Sequence, residues 1–182
     1  MLTQPNPRTT GADNKKEVLE YLMKRFGDRV FKLAYYYVRD RYHAEDIAQE
    51  VFCKVYEKLD SFRGDSSYYT WIYRITVNKC RDFLASSSFK RLLPWGDLST
   101  IEKQRNQADT NRLLEQVEGG ELFSRVMDLP TRYRMVVVLY YFEQMTTVEI
   151  AEVLGLKEST VRTRLCRARE MLKKTLAGEE YI

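Results

Sequence analysis

The chain has 182 residues, of which 44% are hydrophobic and 31% are charged, and its net charge is +4. This length suffices for one medium domain or two small ones, and the composition is that of a soluble globular protein. The longest strongly apolar run, residues 135–142, is too short to cross a bilayer, and the N-terminus lacks the apolar core of a signal peptide. These features argue against a membrane span and predict a cytoplasmic protein.

Cysteine and histidine, two common metal ligands, are rare in this chain. The cysteines Cys53, Cys80 and Cys166 are far apart, and His43 is the only histidine. Because no two cysteines have CxxC spacing, we expect neither a zinc site nor a disulfide framework. We also expect no cofactor. The thiols should be small and mostly buried apolar groups. Cys166 is the exception, because it falls on the polar side of its predicted helix.

The N-terminal half begins with a predicted tail and two helices. Residues 1–14 are rich in Thr, Pro and Asn without periodicity, which predicts a disordered tail. Apolar residues at helical spacing then predict one helix over residues 15–38 and a second that ends near residue 59. The second helix carries acidic and amide side chains opposite its apolar stripe, so this face is either simply solvated or a surface for a partner.

A loop over residues 61–67 leads into a third predicted helix, residues 67–84. This helix opens with four aromatic residues, and arginine and lysine accompany them. Rings that stack on bases, at about 1–3 kcal/mol each, and cations that follow phosphates hold single-stranded nucleic acid. The alternative is that the rings form core. Some of the rings must lie in the core. All four cannot, because successive helical residues point about 100° apart.

Residues 86–120 differ in composition from both flanks. Serine, proline and glycine interrupt them and polar residues dominate, so we predict a flexible linker with a short helix near residues 111–118. The linker separates two small helical domains, residues 15–85 and 121–176, and residues 177–182 form a tail. The predicted fold class is therefore all-α.

The second domain is predicted to hold about four helices, of which the last two have the pattern of a helix-turn-helix. Thr146 and Glu149 have the spacing of a capping box at the start of the first. Gly155 lies where that helix should end, because glycine adopts the left-handed backbone conformation without steric cost. The second helix should begin near Lys157.

This last helix separates an apolar side from a polar, basic side. On a helical wheel its apolar residues fall together, and small polar side chains flanked by Arg162 and Arg167 fall opposite them. Short side chains allow close approach to a DNA major groove, and arginines reach guanine edges or phosphates. The alternative is an ordinary amphipathic hairpin with a solvated basic face.

Two stretches of the chain resemble one known family. Residues 43–84 resemble conserved region two of bacterial sigma-70 factors, with the sequence HAEDIAQEVFCKVYEKLDSFRGDSSYYTWIYRITVNKCRDFL. Residues 129–170 resemble region four, with the sequence LPTRYRMVVVLYYFEQMTTVEIAEVLGLKESTVRTRLCRARE. The short linker and the lack of a middle domain resemble the extracytoplasmic-function (ECF, group four) subfamily. The resemblance implies a sigma factor that binds core RNA polymerase and directs promoter-specific transcription initiation, with no enzymatic step of its own.

The resemblance also implies a role for each surface. The residues that would contact the clamp helices of the largest polymerase subunit are Asp46, Gln49 and Glu50, and the flap of the second-largest subunit is a further expected partner. Those that would open the minus-ten promoter element, capture a base and follow the strand are Arg63, Ser67, Tyr69, Trp71, Asn78, Lys79 and Arg81. Those that would bind the minus-thirty-five element are Ser159, Thr160, Arg162, Thr163, Cys166 and Arg167. The linker would run through the RNA exit path, and an anti-sigma factor is an expected partner.

Three other functions compete with this one. A one-component transcription regulator would bind an operator through its helix-turn-helix without core polymerase, but it needs neither the acidic helix nor the aromatic and basic stretch. A nucleic-acid enzyme would need clustered metal-binding carboxylates, a Ser/His/Asp set or a P-loop, and the sequence shows none of these. The third alternative is a regulator that sequesters its partner. In the family that the chain resembles, such a protein is an anti-sigma factor, which we expect to bind this chain.

Overall fold

The computed structural model describes residues 12–86 and 120–177. The regular elements in these two ranges are helices, which confirms the all-α prediction, and none of them is long and apolar enough to cross a membrane. In chain order the α-helices are α1 Ala12–Val38, α2 Arg41–Lys58, α3 Tyr68–Ala85, α4 Gly120–Asp128, α5 Thr131–Val137, α6 Thr147–Leu154 and α7 Glu158–Ala177. A short 3-10 turn, Leu59–Ser61, follows α2, and a π-helical turn, Val138–Phe142, follows α5.

The first helix starts earlier than predicted. It begins at Ala12 rather than at residue 15, in keeping with the high helix propensity of alanine. The rest of the predicted N-terminal tail, the predicted helix near residues 111–118 and the C-terminal tail beyond Ala177 lie outside the described residues. They stay predictions.

Helices α1, α2 and α3 pack into a bundle around one apolar core. Each contributes residues three or four positions apart, which places them on one helical face. The fully buried members include Leu22, Val30 and Leu33 of α1, Ala44, Val51 and Val55 of α2, and Ile72, Tyr73 and Val77 of α3. Side chains cap two of the helices, because Asp40 accepts a hydrogen bond from the backbone N–H of His43 and Ser67 accepts one from that of Thr70. These caps fix where α2 and α3 begin.

Helices α4 to α7 form a second bundle. The stretch from α5 into the π-helical turn fills its core with buried aliphatic residues. Arg134 of α5 is also fully buried. Its guanidinium donates to the carbonyl oxygen of Met127 at 2.8 Å and to that of Tyr37, in α1, at 3.3 Å. Because a buried charge needs hydrogen-bond partners, these carbonyl acceptors make burial of the arginine tolerable, and one of them belongs to the first bundle.

Helices α6 and α7 form the predicted helix-turn-helix. The hydroxyl of Thr146 accepts from the backbone N–H of Glu149 at 3.3 Å, and the Glu149 carboxylate accepts from the N–H of Thr146 at 2.8 Å. This reciprocal pair confirms the capping box. Gly155 ends α6 with φ +61°, in the left-handed region, as predicted. Helix α7 begins at Glu158, one residue after the predicted start.

The burial of the thiols differs from the prediction at one position. Cys80 is buried and Cys166 is exposed, as expected, but Cys53 is exposed as well. The buried stripe of α2 includes Phe52 and Val55, and a residue about 100° beyond Phe52 turns out of the core. Burial raises the pKa of the Cys80 thiol to about 12.

Candidate nucleic-acid and polymerase interfaces

One face of α7 carries every residue predicted to contact the major groove. The exposed members are Ser159, Arg162, Thr163, Cys166 and Arg167, and Thr160 is half-buried. On the opposite side Val161, Leu165 and Ala168 are at most 3% exposed. The helix is therefore anchored through its apolar side and presents short and basic side chains to the outside, as a recognition helix requires.

Glu158 holds Arg162 at the start of this face. Its Oε1 accepts from Nε of Arg162 at 3.1 Å and from Nη2 at 2.7 Å. The same oxygen accepts from the hydroxyl of Thr147, in α6, at 2.6 Å. The hydrogen bond from Thr147, followed by that from Arg162, lowers the pKa of the Glu158 carboxyl. The Glu158 carboxylate thus links α6 to α7 and restricts the orientation of the Arg162 guanidinium.

The loop before α3 is built on packed rings. The ring of Phe62 lies 4.4 Å from that of Tyr68 and 4.9 Å from that of Trp71, measured between centroids. Trp71 is only 7% exposed, so it lies beneath these rings and supports them rather than facing outward to a base. Ser67 caps α3 with its hydroxyl, and Arg63 is exposed in the loop.

A cavity of about 480 Å³ lies between this loop and α1. Its walls include Phe62, Ser66, Ser67, Tyr68 and Tyr69 from the loop and α3, and Tyr21, Arg25, Phe26 and Arg29 from α1. The guanidinium carbon of Arg29 lies 5.6 Å from the ring centre of Tyr69, and Nη1 of Arg25 donates to the hydroxyl of Tyr21 at 3.3 Å. Aromatic walls beside two cations suit an unstacked base and its phosphates.

The contribution of α1 to this cavity was not predicted from the sequence. The apolar spacing of α1 identifies its core residues but does not indicate what the side chains beside them contact. Arg25 and Arg29 are four residues apart, which places them on one face, and they flank Phe26. Two arginines on one helical face beside an aromatic residue are the sequence feature that could have identified α1 as part of this site.

Two other minus-ten candidates are paired within the chain. Nζ of Lys79 donates to Oε2 of Glu50 at 2.8 Å, a bond that raises the pKa of the lysine. Nη2 of Arg81 donates to the carbonyl oxygen of Leu154 at 2.6 Å. Asn78 is exposed. The pair between Lys79 and Glu50 joins a residue predicted for DNA to one predicted for polymerase, so the two candidate sites adjoin.

The predicted polymerase-contacting residues lie together on the outer face of α2. Asp46, Gln49 and Glu50 are all exposed, and their spacing of three and four places them on one side. Ala44 and Ile47 of the same helix are buried. The acidic face is therefore accessible to a partner.

The second bundle carries an apolar groove of about 570 Å³ beside α7. It is lined by Leu122, Val126, Val137, Tyr141, Phe142, Leu172 and Leu176, with Arg169 and Lys173 among them. Leu122 is 54% exposed and Phe142 is 40% exposed. Exposed apolar residues gathered in one place mark an interaction site. Their helical spacing is the same as that of core residues, so the sequence alone does not distinguish them from the core.

Comparison with protein families identifies both bundles. Residues 22–89 match sigma-70 region 2, and residues 121–172 match sigma-70, region 4. The RNA polymerase sigma-H factor of Pseudomonas aeruginosa is 31% identical over 172 residues, which cover 88% of this chain and 87% of that protein. The ECF RNA polymerase sigma-E factor of Escherichia coli K12 is 32% identical over 166 residues, which cover 86% of this chain and 85% of that protein.

Solved structures show the same arrangement of helices. CnrH, in complex with the cytosolic domain of CnrY, is 25% identical with a TM-score of 0.64 and covers 90% of each chain. The sigma factor RpoE of Bartonella quintana, in complex with the anti-sigma factor NepR, is 17% identical with a TM-score of 0.63, and the match covers 87% of this chain and 96% of that one. This chain therefore belongs to the extracytoplasmic-function subfamily of the sigma-70 family and is a sigma factor that directs transcription initiation by RNA polymerase.

Proposed function

We propose that this sigma factor recognises the minus-thirty-five element through the exposed face of α7. The observation that carries this proposal is the division of α7 into a buried apolar side and an exposed side with short and basic residues. Arg162 and Arg167 are long enough to reach base edges or phosphates, while the short side chains between them permit close approach. Those shorter members of the face are Ser159, Thr160, Thr163 and Cys166.

The cavity between α1 and the loop before α3 is the proposed site for a base extruded from the minus-ten element. Extrusion costs a few kcal/mol per base, and stacking on an aromatic wall returns about 1–3 kcal/mol. Ser67 and Tyr69 line the cavity, and Trp71 supports its rings from below. Because only a base that fits the cavity gains these contacts, opening of the DNA duplex is favoured only where the promoter carries a matching minus-ten element.

Cations on both sides of the cavity are the proposed phosphate contacts. Arg25 and Arg29 of α1 line the cavity itself and would hold the phosphates that flank the extruded base. The residues proposed to follow the remaining strand are Arg63 in the loop and Asn78, Lys79 and Arg81 on α3. Cations that follow the phosphates hold a single strand in this way.

The acidic face of α2 is the proposed contact for the clamp helices of the largest polymerase subunit. Asp46, Gln49 and Glu50 are exposed on one side of the helix and offer acceptors to a basic partner. Glu50 would exchange Lys79 for a polymerase cation. Lys79 would then be released toward DNA, so binding of the two partners would be mutually favourable.

The apolar groove of the second bundle is the proposed site for the polymerase flap. Its exposed leucines and aromatic rings suit an apolar partner segment, and Arg169 and Lys173 suit acidic residues on the flanks of that segment. The distance between the two polymerase contacts is then bridged by the linker, residues 86–120, which would lie in the RNA exit path.

The proposal extends to the domain organisation, the cellular location and the partners of the whole chain. Residues 15–85 and 121–176 act as the two domains, the protein works in the cytoplasm beside RNA polymerase, and all bond chemistry belongs to the polymerase. The sigma factor of Bartonella quintana was solved with an anti-sigma factor, and we propose that this chain also has one.

Charge reversal on α2 tests the polymerase contact. The double variant Asp46→Arg, Glu50→Lys should capture core RNA polymerase at least about tenfold less well, because like charges across an interface cost several kcal/mol. The matched control is Glu17→Lys, Glu20→Lys, which makes the same charge change on exposed positions of α1. Equal capture of polymerase by wild type and by the α2 variant would rule out the contact.

A further inference from the structure

The side chains of Glu158 and Arg162 satisfy each other only in part. Oε1 of Glu158 accepts from Nε and Nη2 of Arg162 at 3.1 and 2.7 Å, and from the hydroxyl of Thr147 at 2.6 Å. Within residues 12–86 and 120–177, Oε2 of Glu158 and Nη1 of Arg162 make no hydrogen bond. A carboxylate accepts at both oxygens, and a guanidinium carries five N–H donors. The pair therefore keeps an acceptor oxygen and further N–H donors that can bind another molecule.

This pair lies at the end of α7 from which a recognition helix contacts bases. Glu158 is the first residue of α7, and Arg162 follows one turn later on the same face. Recognition helices contact base edges with their N-terminal residues. The side chain of Arg162 is 70% exposed and that of Glu158 is 36% exposed. Both groups are therefore accessible where the proposed contact with the minus-thirty-five element begins.

The charge of Glu158 limits which groups of a base it can contact. Hydrogen bonds from Thr147 and then from Arg162 lower the pKa of its carboxyl. Glu158 is therefore ionised at neutral pH and acts only as an acceptor. A keto oxygen of a base is also an acceptor, so a carboxylate placed against it is repelled and disfavours that base. An exocyclic amino group is a donor, and it matches the carboxylate.

A guanine–cytosine pair presents both complements of the Glu158 and Arg162 pair in the major groove. Cytosine offers its N4 amino group as a donor, and guanine offers O6 and N7 as acceptors. Glutamate is suited to cytosine N4, and arginine is suited to guanine O6 and N7. Adenine also offers an amino group, but its thymine partner presents a single oxygen beside a methyl group. The guanidinium therefore finds more acceptors on guanine than on thymine.

We propose that Glu158 and Arg162 together read one guanine–cytosine pair of the minus-thirty-five element. Oε2 of Glu158 accepts from the N4 amino group of cytosine, and Arg162 donates to O6 and N7 of guanine. Thr147, which donates to Oε1 from α6, is a positioning residue that leaves the second oxygen to the base. Glu158 is not among the residues predicted from the sequence to contact DNA. The inference rests on the proposed role of α7 and adds the class of base pair that this helix selects.

Base selection by reconstituted holoenzyme tests the joint contact. Templates from a promoter that the holoenzyme uses would carry each of the four base pairs at every position of the minus-thirty-five element in turn, and transcription would be measured from each. Wild type should favour guanine–cytosine about tenfold or more at one position. Glu158→Gln, which keeps the reach and removes the charge, and Arg162→Ala should each lose most of this preference at that same position.

Two further variants separate positioning from charge. Thr147→Val keeps the shape of the side chain and removes the hydroxyl, and it should reduce the preference at the same position about threefold. Glu121→Gln, which removes an exposed carboxylate of α4, is the control and should keep every wild-type preference. Each preference is a ratio between templates, so it does not depend on how much of a variant is folded.

Base analogues test the two hydrogen-bonded contacts separately. 7-Deazaguanine lacks N7 of guanine but keeps its Watson–Crick pairing, and a pyrimidin-2-one nucleotide lacks the amino group of cytosine. Wild-type holoenzyme should transcribe less from either substituted template. Glu158→Ala should be insensitive to loss of the amino group, and Arg162→Ala should be insensitive to loss of N7, because each variant lacks the side chain that makes the contact.

Other results would overturn the proposal in identifiable ways. If Glu158→Gln changes no preference, or changes one at a different position from Arg162→Ala, the two side chains do not read a base pair together. If wild type prefers adenine–thymine at the position that Arg162→Ala alters, the class of base pair is wrong and reading of the groove by α7 stands. If wild-type holoenzyme transcribes equally from every minus-thirty-five sequence, the role of α7 and the inference that depends on it both fail.

Discussion

The guanidinium of Arg162 is oriented before any DNA is bound. Its two hydrogen bonds to one oxygen of Glu158 fix its direction, and the hydroxyl of Thr147 holds that carboxylate in turn. An oriented side chain loses less conformational entropy on binding a base edge. In the proposed contact with DNA, Arg162 must leave or share this carboxylate, and we therefore expect Glu158 to contribute to selectivity rather than to raw affinity.

Replacement of Arg162 by alanine should cost about 1–3 kcal/mol of promoter binding at one base pair of the minus-thirty-five element. Transcription by reconstituted holoenzyme on templates that differ at single positions would measure this loss. Arg132→Ala, which removes an exposed arginine of α5, is the matched control and should leave the base preference intact. Equal activity on matched and mismatched elements, with Arg162 and without it, would contradict the assignment.

Single residues show what periodicity can and cannot predict. The spacing of apolar positions on α7 correctly separated its exposed polar face from its core. The same kind of pattern does not determine how deeply a ring is buried, so Trp71 was predicted at the DNA surface and lies beneath Phe62 and Tyr68. Burial at that position depends on a neighbouring loop, which has no periodic signal.

At the scale of the elements, local chemistry determines where the helices begin and end. The capping box at Thr146 and the left-handed Gly155 bracket α6, and both were predicted because each depends on residues within one helical turn. The interface between α3 and the second bundle was not predicted. Tyr73 and Glu143 are 70 residues apart, and nothing in either local sequence identifies the other as its partner.

Two glycine substitutions should change stability in opposite directions. Gly155→Ala forces alanine into a left-handed backbone at φ +61°, and it should destabilise the protein by about 1–2 kcal/mol. Gly27→Ala lies within α1, where an added Cβ has no atom within 4 Å, and it should stabilise the protein by about 0.5–1 kcal/mol. Midpoints of urea unfolding would report both changes. An unchanged or higher midpoint for Gly155→Ala would show that α6 does not need its left-handed end, and a lower midpoint for Gly27→Ala would contradict the second prediction.

At the scale of the whole molecule, the proposed function places one small DNA-binding surface on each bundle, with residues 86–120 as the proposed linker. Each surface has a modest footprint, so we expect each to bind weakly by itself. In this proposal polymerase fixes their separation and converts the second contact into an intramolecular one, which raises the effective concentration of that surface. The resemblance to regions two and four predicted this division of labour. It did not predict that the two bundles lie against each other, because that depends on packing between distant parts of the chain.

In-vitro transcription tests the central claim most directly. Purified core RNA polymerase would be incubated with a pool of bacterial promoter fragments, with and without this protein. We predict transcripts that depend on the protein and start at defined positions, and alignment of the DNA upstream of those starts should reveal both promoter elements. An absence of dependent transcripts, together with tight DNA binding by the protein alone, would contradict the account and indicate a regulator that acts without polymerase.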